Sequence, residues 1–255
     1  MGRPNPWLAA SHFAGKPDVV IDEEEVYRES LALEAREEAE RLAGGPHGAE
    51  ALERPAAYAK ALLRRAAGVD GLTLGCWCFD FAAVEKRGWT PCVSLALLND
   101  WGLTAVCEGD MRALYSAAVL SKISGRPAWA ANVNYAGRGL LILTHDGLPP
   151  SMARRYRIRP RLATGAPAAI EAEVEPGRPI TLLRVSGDLR RALLLRGTTA
   201  QAPRLEACAA QIAVETPQAE AVLAAGLGNH LAFVLDDVYH ETKAYLQHLG
   251  VQVAP

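Results

Sequence analysis

Two acidic residues, Glu108 and Asp110, stand two positions apart where the apolar run Leu103–Cys107 gives way to the amphipathic segment Asp110–Ile123. A carboxylate at the carboxyl end of a strand faces the crevice in which open α/β sheets hold their ligands, where it can bind a cation or move a proton. Asp110 has a simpler use, because an acidic side chain opening a helix satisfies free backbone N–H groups and suits the helix dipole. Glu108 fits that use less well and is the stronger candidate for chemistry. Two histidines also end apolar or glycine-rich runs: His145 after Leu140-Leu-Ile-Leu-Thr, and His230 after Gly226-Leu-Gly-Asn. An imidazole in such a place can ligate a metal or pack in a core. His12, His47, His240 and His248 fall in loops or on helices without converging partners and read as surface or packing residues.

The elements that must position these groups follow from hydrophobic period and from glycine and proline punctuation. An acidic start at Asp22 and a stop at Gly44-Gly45 suit a helix over 22–43, and a second helix spans about Pro55 to Ala67. Gly71–Phe79 has the length and apolar continuity of a strand buried on both faces. A helix near Pro91–Asn99, a strand at Leu103–Cys107, a helix at Asp110–Ile123 and a strand at Pro127–Val133 complete a βαβαβ alternation. Such alternation predicts a parallel sheet with right-handed crossovers, which brings Glu108 and Asn132 to the same rim. Beyond Asn134 the runs Gly139–Thr144, Ala168–Val174, Ile180–Val185 and Ala192–Arg196 are short and β-rich, at spacings common in antiparallel barrels and sandwiches. A helix over Asp236–Leu249, stopped by Gly250, precedes a last short strand at Val251–Val253. The fold class is α/β plus β, divided into a poorly structured lead-in over 1–21, a parallel-sheet domain over 22–134 and a barrel-like domain over 135–255.

Composition narrows the function classes. The chain has 255 residues, half of them hydrophobic, and no apolar run reaches the roughly 18 residues needed to span a bilayer. The start Met1-Gly-Arg-Pro-Asn-Pro does not read as a signal peptide, so the expectation is a cytoplasmic protein without membrane association. Five cysteines without a framework spacing fit a reducing compartment, and Cys76-Trp77-Cys78 lacks the two-residue gap of a zinc knuckle. A formal charge of −2 argues against a nucleic-acid surface and leaves a small molecule as the expected partner. The basic run Arg154, Arg155, Arg157, Arg159 and Arg161 reads as a solvated face.

Four segments, in this order, resemble the C-terminal half of the L-fucose isomerase and L-arabinose isomerase superfamily. They are Thr90–Gly102 running into Ala105–Asp110, Gly125-Arg-Pro-Ala-Trp129 to Asn132, Leu140-Leu-Ile-Leu-Thr-His145, and Gly226-Leu-Gly-Asn-His230 followed by a helix and a short strand. Between them, Gly177-Arg-Pro-Ile-Thr-Leu-Leu-Arg184 is similar to the Gly-x-x-x-Thr-Leu-x-Arg strand of the same domain, so the likeness covers about residues 70 to 255. The resemblance implies a barrel-like domain packed on a partial Rossmann-like one, with a divalent cation, usually Mn²⁺, between them. It implies an aldose–ketose isomerase that moves a proton through an enediol, and a homo-oligomer with its site near subunit interfaces. By resemblance Glu108 is a metal ligand and candidate base, and His230 a second ligand. His145 is a further ligand or binds the sugar, and Trp129 is the tryptophan best placed to stack on it. Asn132 stands where the family has its second acidic ligand. An amide oxygen can coordinate, but it carries no charge and cannot act as a base near neutral pH. The family carries a further N-terminal region, so the alternatives are a fragment, or a non-catalytic carbohydrate-binding or regulatory relative.

Overall fold

The computed structural model describes residues 13–45, 47–75, 87–162 and 164–254. Three helices open it: α1 (Glu23–Ser30), α2 (Arg36–Ala43) and α3 (Glu50–Arg65). Asp22 caps α1 by accepting the Glu24 amide at 2.8 Å, and α2 ends on Gly44 in a left-handed conformation with φ 74°. The single helix expected over 22–43 is therefore two. The break lets α1 bury Val26 and Ser30 while α2 buries Ala39 and Leu42, and both pack on α3, which one straight rod could not achieve. Within the expected lead-in, Phe13 packs on Tyr115 with ring centroids 6.0 Å apart, and the Ala14 amide donates to Gly187 O at 2.6 Å.

Strands β1 (Gly71–Thr73) and β2 (Thr104–Val106) pair in parallel, connected through α4 (Cys92–Asp100). The second half of the expected strand, with Cys76-Trp77-Cys78, lies outside the described residues. Every residue of α4 from Cys92 to Asn99 is buried, which explains an apolar composition without an amphipathic stripe. Asn99 ties its end to the next strand: Nδ2 donates to Leu95 O and Ala105 O, both at 2.8 Å, and Oδ1 accepts the Ala105 amide at 3.0 Å. One side-chain amide thus sets the α4–β2 turn that leads to Cys107. After β2 comes α5 (Met111–Ser124).

The remaining strands are β3 (Trp129–Gly137), β4 (Leu140–His145), β5 (Arg155–Arg159), β6 (Ala169–Glu173), β7 (Pro179–Val185), β8 (Arg191–Ala200), β9 (Ala210–Glu215), β10 (His230–Val234) and β11 (Gln252–Ala254). The order β8-β7-β10-β3-β4-β9, with β9 pairing back to β8, closes a six-stranded antiparallel barrel, and β11 adds to β8 in parallel. Gly197 permits the closure, because a Cβ there would sit 2.5 Å from Glu215 O. Alternate residues of the barrel strands, among them Trp129, Leu143, Leu182, Leu195, Ile212 and Phe233, share one core, and we take them to line the lumen. The intervening residues Ala130, Leu183, Leu194 and Ala232 form a second core with α5 and with α7 (Tyr239–His248), which follows the short α6 (Ala221–Ala225). Among the described residues no helix is long and apolar enough to cross a membrane.

The strand expected at 127–133 as the third member of a parallel sheet is β3, and it runs antiparallel between β10 and β4. It passes through the expected junction at 134/135. The reason is burial: Trp129 to Ala131 are covered on both faces, by the lumen and by α5, and a doubly buried strand reads as parallel. The basic run is also not uniform. Arg155 pairs with Glu173 at 2.7 Å, and Arg157 and Arg159 pair with Glu171 across β5–β6. Arg161 instead bonds Asp146 at 2.6 Å with both side chains buried.

Replacing Asn99 by Ala leaves buried Ala105 N–H and C=O groups without their side-chain partner. Chemical denaturation should register a loss of about 2–3 kcal/mol; a loss under about 0.5 kcal/mol would mean the clamp does not set the turn.

Candidate metal centre

The site begins where β2 stops. Gly109 donates to Leu74 O at 3.0 Å and Asp110 to Cys107 O at 3.3 Å, closing a tight turn in which Glu108 and Gly109 are both left-handed, with φ 65° and 68°. That conformation is routine for Gly109 and strained for Glu108. Within this turn Cys107 and Glu108 converge, instead of facing opposite ways as they would in a continuing strand. The Sγ of Cys107, a carboxylate oxygen of Glu108 and ring nitrogens of His145 and His230 all lie within 4.8 Å of one another. The four residues could hold a metal ion.

The barrel supplies the histidines from the end of β4 and the start of β10, with ring centroids 5.6 Å apart. His230 Nδ1 lies 3.0 Å from Asp110 Oδ2, so the carboxylate fixes the proton on Nδ1 and leaves the lone pair on Nε2. This Nε2 is buried, has no hydrogen-bond partner and stands 4.0 Å from Glu108 Oε2. Tetrahedral ligands at about 2.0–2.3 Å from one cation are roughly 3.3–3.8 Å apart, so the cluster would tighten by about 1 Å at its widest to close on an ion.

His145 is built differently. Its Nδ1 accepts the Asp146 amide at 3.0 Å, which places the proton of the neutral ring on Nε2, 3.0 Å from Cys107 Sγ. Complete burial, reinforced by the His230 charge, pushes its pKa down to about 3, so the ring is neutral at physiological pH. His145 Nε2 is therefore suited to donate to the Cys107 sulfur. Asp110 shows the opposite balance. Burial alone would raise its carboxyl, but hydrogen bonding to His230 and the Arg184 charge hold it well below the usual carboxylate range.

Of the residues expected from sequence, Glu108, His145 and His230 come together. Asn132 lies directly opposite His230 in the β3–β10 register, but its Oδ1, the atom that would ligate, accepts from Asn229 Nδ2 at 2.6 Å. Trp129 is 4 % exposed and wedged edge-on against Phe233 and His145, which makes it a wall of the site rather than an open platform for a sugar ring. A cavity of about 20 Å³ beside Cys107, Trp129 and His145 has room for about one water molecule, far too little for a sugar. The open side is the rim formed by Glu108, Asn132 and Asn229, all at least partly exposed. Sequence reasoning missed Cys107 as a donor, Asp110 as the group that orients His230, and Arg184, whose Nη1 bonds Asp110 Oδ2 at 2.7 Å. His47, His240 and His248 are exposed, as read.

Glu108 in a left-handed conformation costs about 1–2 kcal/mol that glycine does not. Glu108→Gly should leave the metal-free protein as stable as wild type or more so in a thermal melt, while removing a metal donor. A marked drop in melting temperature would instead make Glu108 a structural residue. No protein-family model and no curated protein matches the chain, so the functional reading rests on this geometry.

Proposed function

We propose that the chain is a metal-dependent aldose–ketose isomerase whose divalent cation is held by Cys107, Glu108 and His230. The observation that carries this reading is His230 Nε2, buried and without a partner, facing a carboxylate 4.0 Å away in a cluster with a thiol. An imidazole oriented by a buried carboxylate is a common second-sphere arrangement for a metal ligand. Three protein donors leave a coordination position open to substrate, as catalytic centres require. A thiolate beside imidazole and carboxylate favours Zn²⁺ or Fe²⁺ over the Mn²⁺ expected from resemblance. His145 acts as a positioning residue, donating Nε2–H to the Cys107 sulfur and so favouring the thiolate. The segment β1–α4–β2–α5 is the part that suits a partial Rossmann-like domain, with the centre at its junction with the barrel.

The cation, when bound, supplies polarisation of a carbonyl and a hold on two adjacent substrate oxygens. The chain's own residues do the rest. Glu108, 12 % exposed, turns one oxygen toward His230 and keeps the other for the proton that must pass between neighbouring carbons through an enediol. Asn132 cannot be a second base, so one carboxylate removes and returns the proton on the same face. The Asn132 and Asn229 amides at the rim are placed to bind sugar hydroxyls. The same amide pair supports a second reading, a carbohydrate-binding relative without catalysis, because Asn132 is committed to Asn229.

Calorimetric titration with Zn²⁺ and Mn²⁺ tests the centre. Wild type should bind one equivalent of Zn²⁺, and His230→Ala should weaken it by at least about 100-fold, the upper range seen when even an outer partner is lost. Cys107→Ser should weaken Zn²⁺ far more than Mn²⁺. The loaded protein should convert an aldose to its ketose, and Glu108→Gln should not. Absence of metal binding overturns the proposal; binding without turnover on a panel of aldoses selects the carbohydrate-binding reading.

A further inference from the structure

Next to the centre, two guanidinium groups share one carboxylate. Arg184, 1 % exposed, bonds Asp110 Oδ2 through Nη1 at 2.7 Å and Leu227 O through Nε at 2.9 Å, while its Nη2 is buried without a partner. Arg112, with its side chain 17 % exposed, approaches the same carboxylate but stops at 3.9 Å between Nε and Asp110 Oδ1, beyond a hydrogen bond. That oxygen already accepts the Arg112 and Ala113 amides, and Oδ2 already takes Arg184 and His230. The carboxylate is saturated, so one positive charge of the pair is unneutralised. The nearby Arg112 charge also helps to lower the pKa of buried Arg184.

The two amino groups converge beneath the loop Gly226-Leu227-Gly228-Asn229. A Cβ on Gly228 would lie 2.8 Å from Arg184 Nη2 and 3.3 Å from Arg112 Nη2. Gly228 is exposed and sits at φ 108°, a conformation natural to glycine, so the segment over the two nitrogens is free of side chain. Convergent guanidinium donors match an oxyanion with two or more oxygens, and an unpaired buried donor is costly until one is supplied.

We infer that Arg112 and Arg184 form an oxyanion subsite under Gly228, which receives a phosphoryl or carboxylate group of the substrate. The inference rests on the isomerase reading for its substrate class: an anionic sugar, held by its charged end while its reacting carbons face Glu108. Asp110 couples the two regions, since the carboxylate oxygen that bonds Arg184 also orients His230.

The test is calorimetric titration of inorganic phosphate and of gluconate, separately, into metal-free protein, with Zn²⁺ titrated into a second aliquot. Wild type should bind at least one of the two anions, which assigns the sugar phosphate or the sugar acid respectively. Arg112→Gln, on the open side of the subsite, should weaken that binding by about tenfold or more, the loss expected for a charged hydrogen bond. Gly228→Ala, which adds only a methyl group in front of both nitrogens, should weaken it comparably. Zn²⁺ affinity should stay unchanged in Arg112→Gln. Failure of both anions to bind wild type, or equal binding by Arg112→Gln, overturns the subsite whatever the metal titration gives. Loss of Zn²⁺ binding alone would count against the metal centre and not against this subsite.

Discussion

The carboxylate of Asp110 is where the described parts of the molecule meet. It is fully buried and accepts the amides of Arg112 and Ala113 at the start of α5, Arg184 from β7 and His230 from β10. A charge in that position is costly unless its donors are complete, and removing one partner from such a buried pair typically costs about 3–5 kcal/mol. Here every donor comes from a different functional demand: a helix end that needs an acceptor, a strand arginine that needs a counter-charge, and an imidazole that needs a fixed tautomer. The packing of α5 against the barrel and the chemistry of the cluster are therefore set by one group.

The proposed centre inherits its order from that group. His230 is held by Asp110 so that its free nitrogen faces Glu108, and Glu108 is held by a turn that strains its own backbone. His145, neutral because it is buried, serves Cys107 from the opposite wall. The donors on the barrel side sit on strand ends, which are rigid, and those on the helical side sit on a turn fixed by Asn99 and by hydrogen bonding to Leu74. A cation closing on this cluster would have to draw together groups that are already oriented, at low cost in conformational entropy.

Much of this was legible in the sequence. The apolar runs located the strands, the acidic turn and the two histidines identified three of the four donors, and Asp110 read as a helix cap, which it is. What was not legible depends on long-range closure or on rare backbone geometry. The partners of β3 are β4, the next strand, and β10, about 100 positions further on; its apolar start carries no mark distinguishing a barrel wall from a parallel strand. Cys107 was passed over because residues 107 and 108 of a regular strand face opposite ways, and nothing in a glutamate announces a left-handed φ. Arg184 appeared only as part of a strand motif, since its unpaired nitrogen exists only once β7, α5 and the Gly228 loop are brought together.

The most direct test of the central claim, a cation held by Cys107, Glu108 and His230, is X-ray absorption spectroscopy on the zinc-loaded protein. The account predicts four-coordinate zinc with one sulfur at about 2.3 Å and nitrogen or oxygen ligands at about 2.0–2.1 Å. A shell made only of nitrogen and oxygen would contradict it, because Cys107 would then stand beside the metal and not on it.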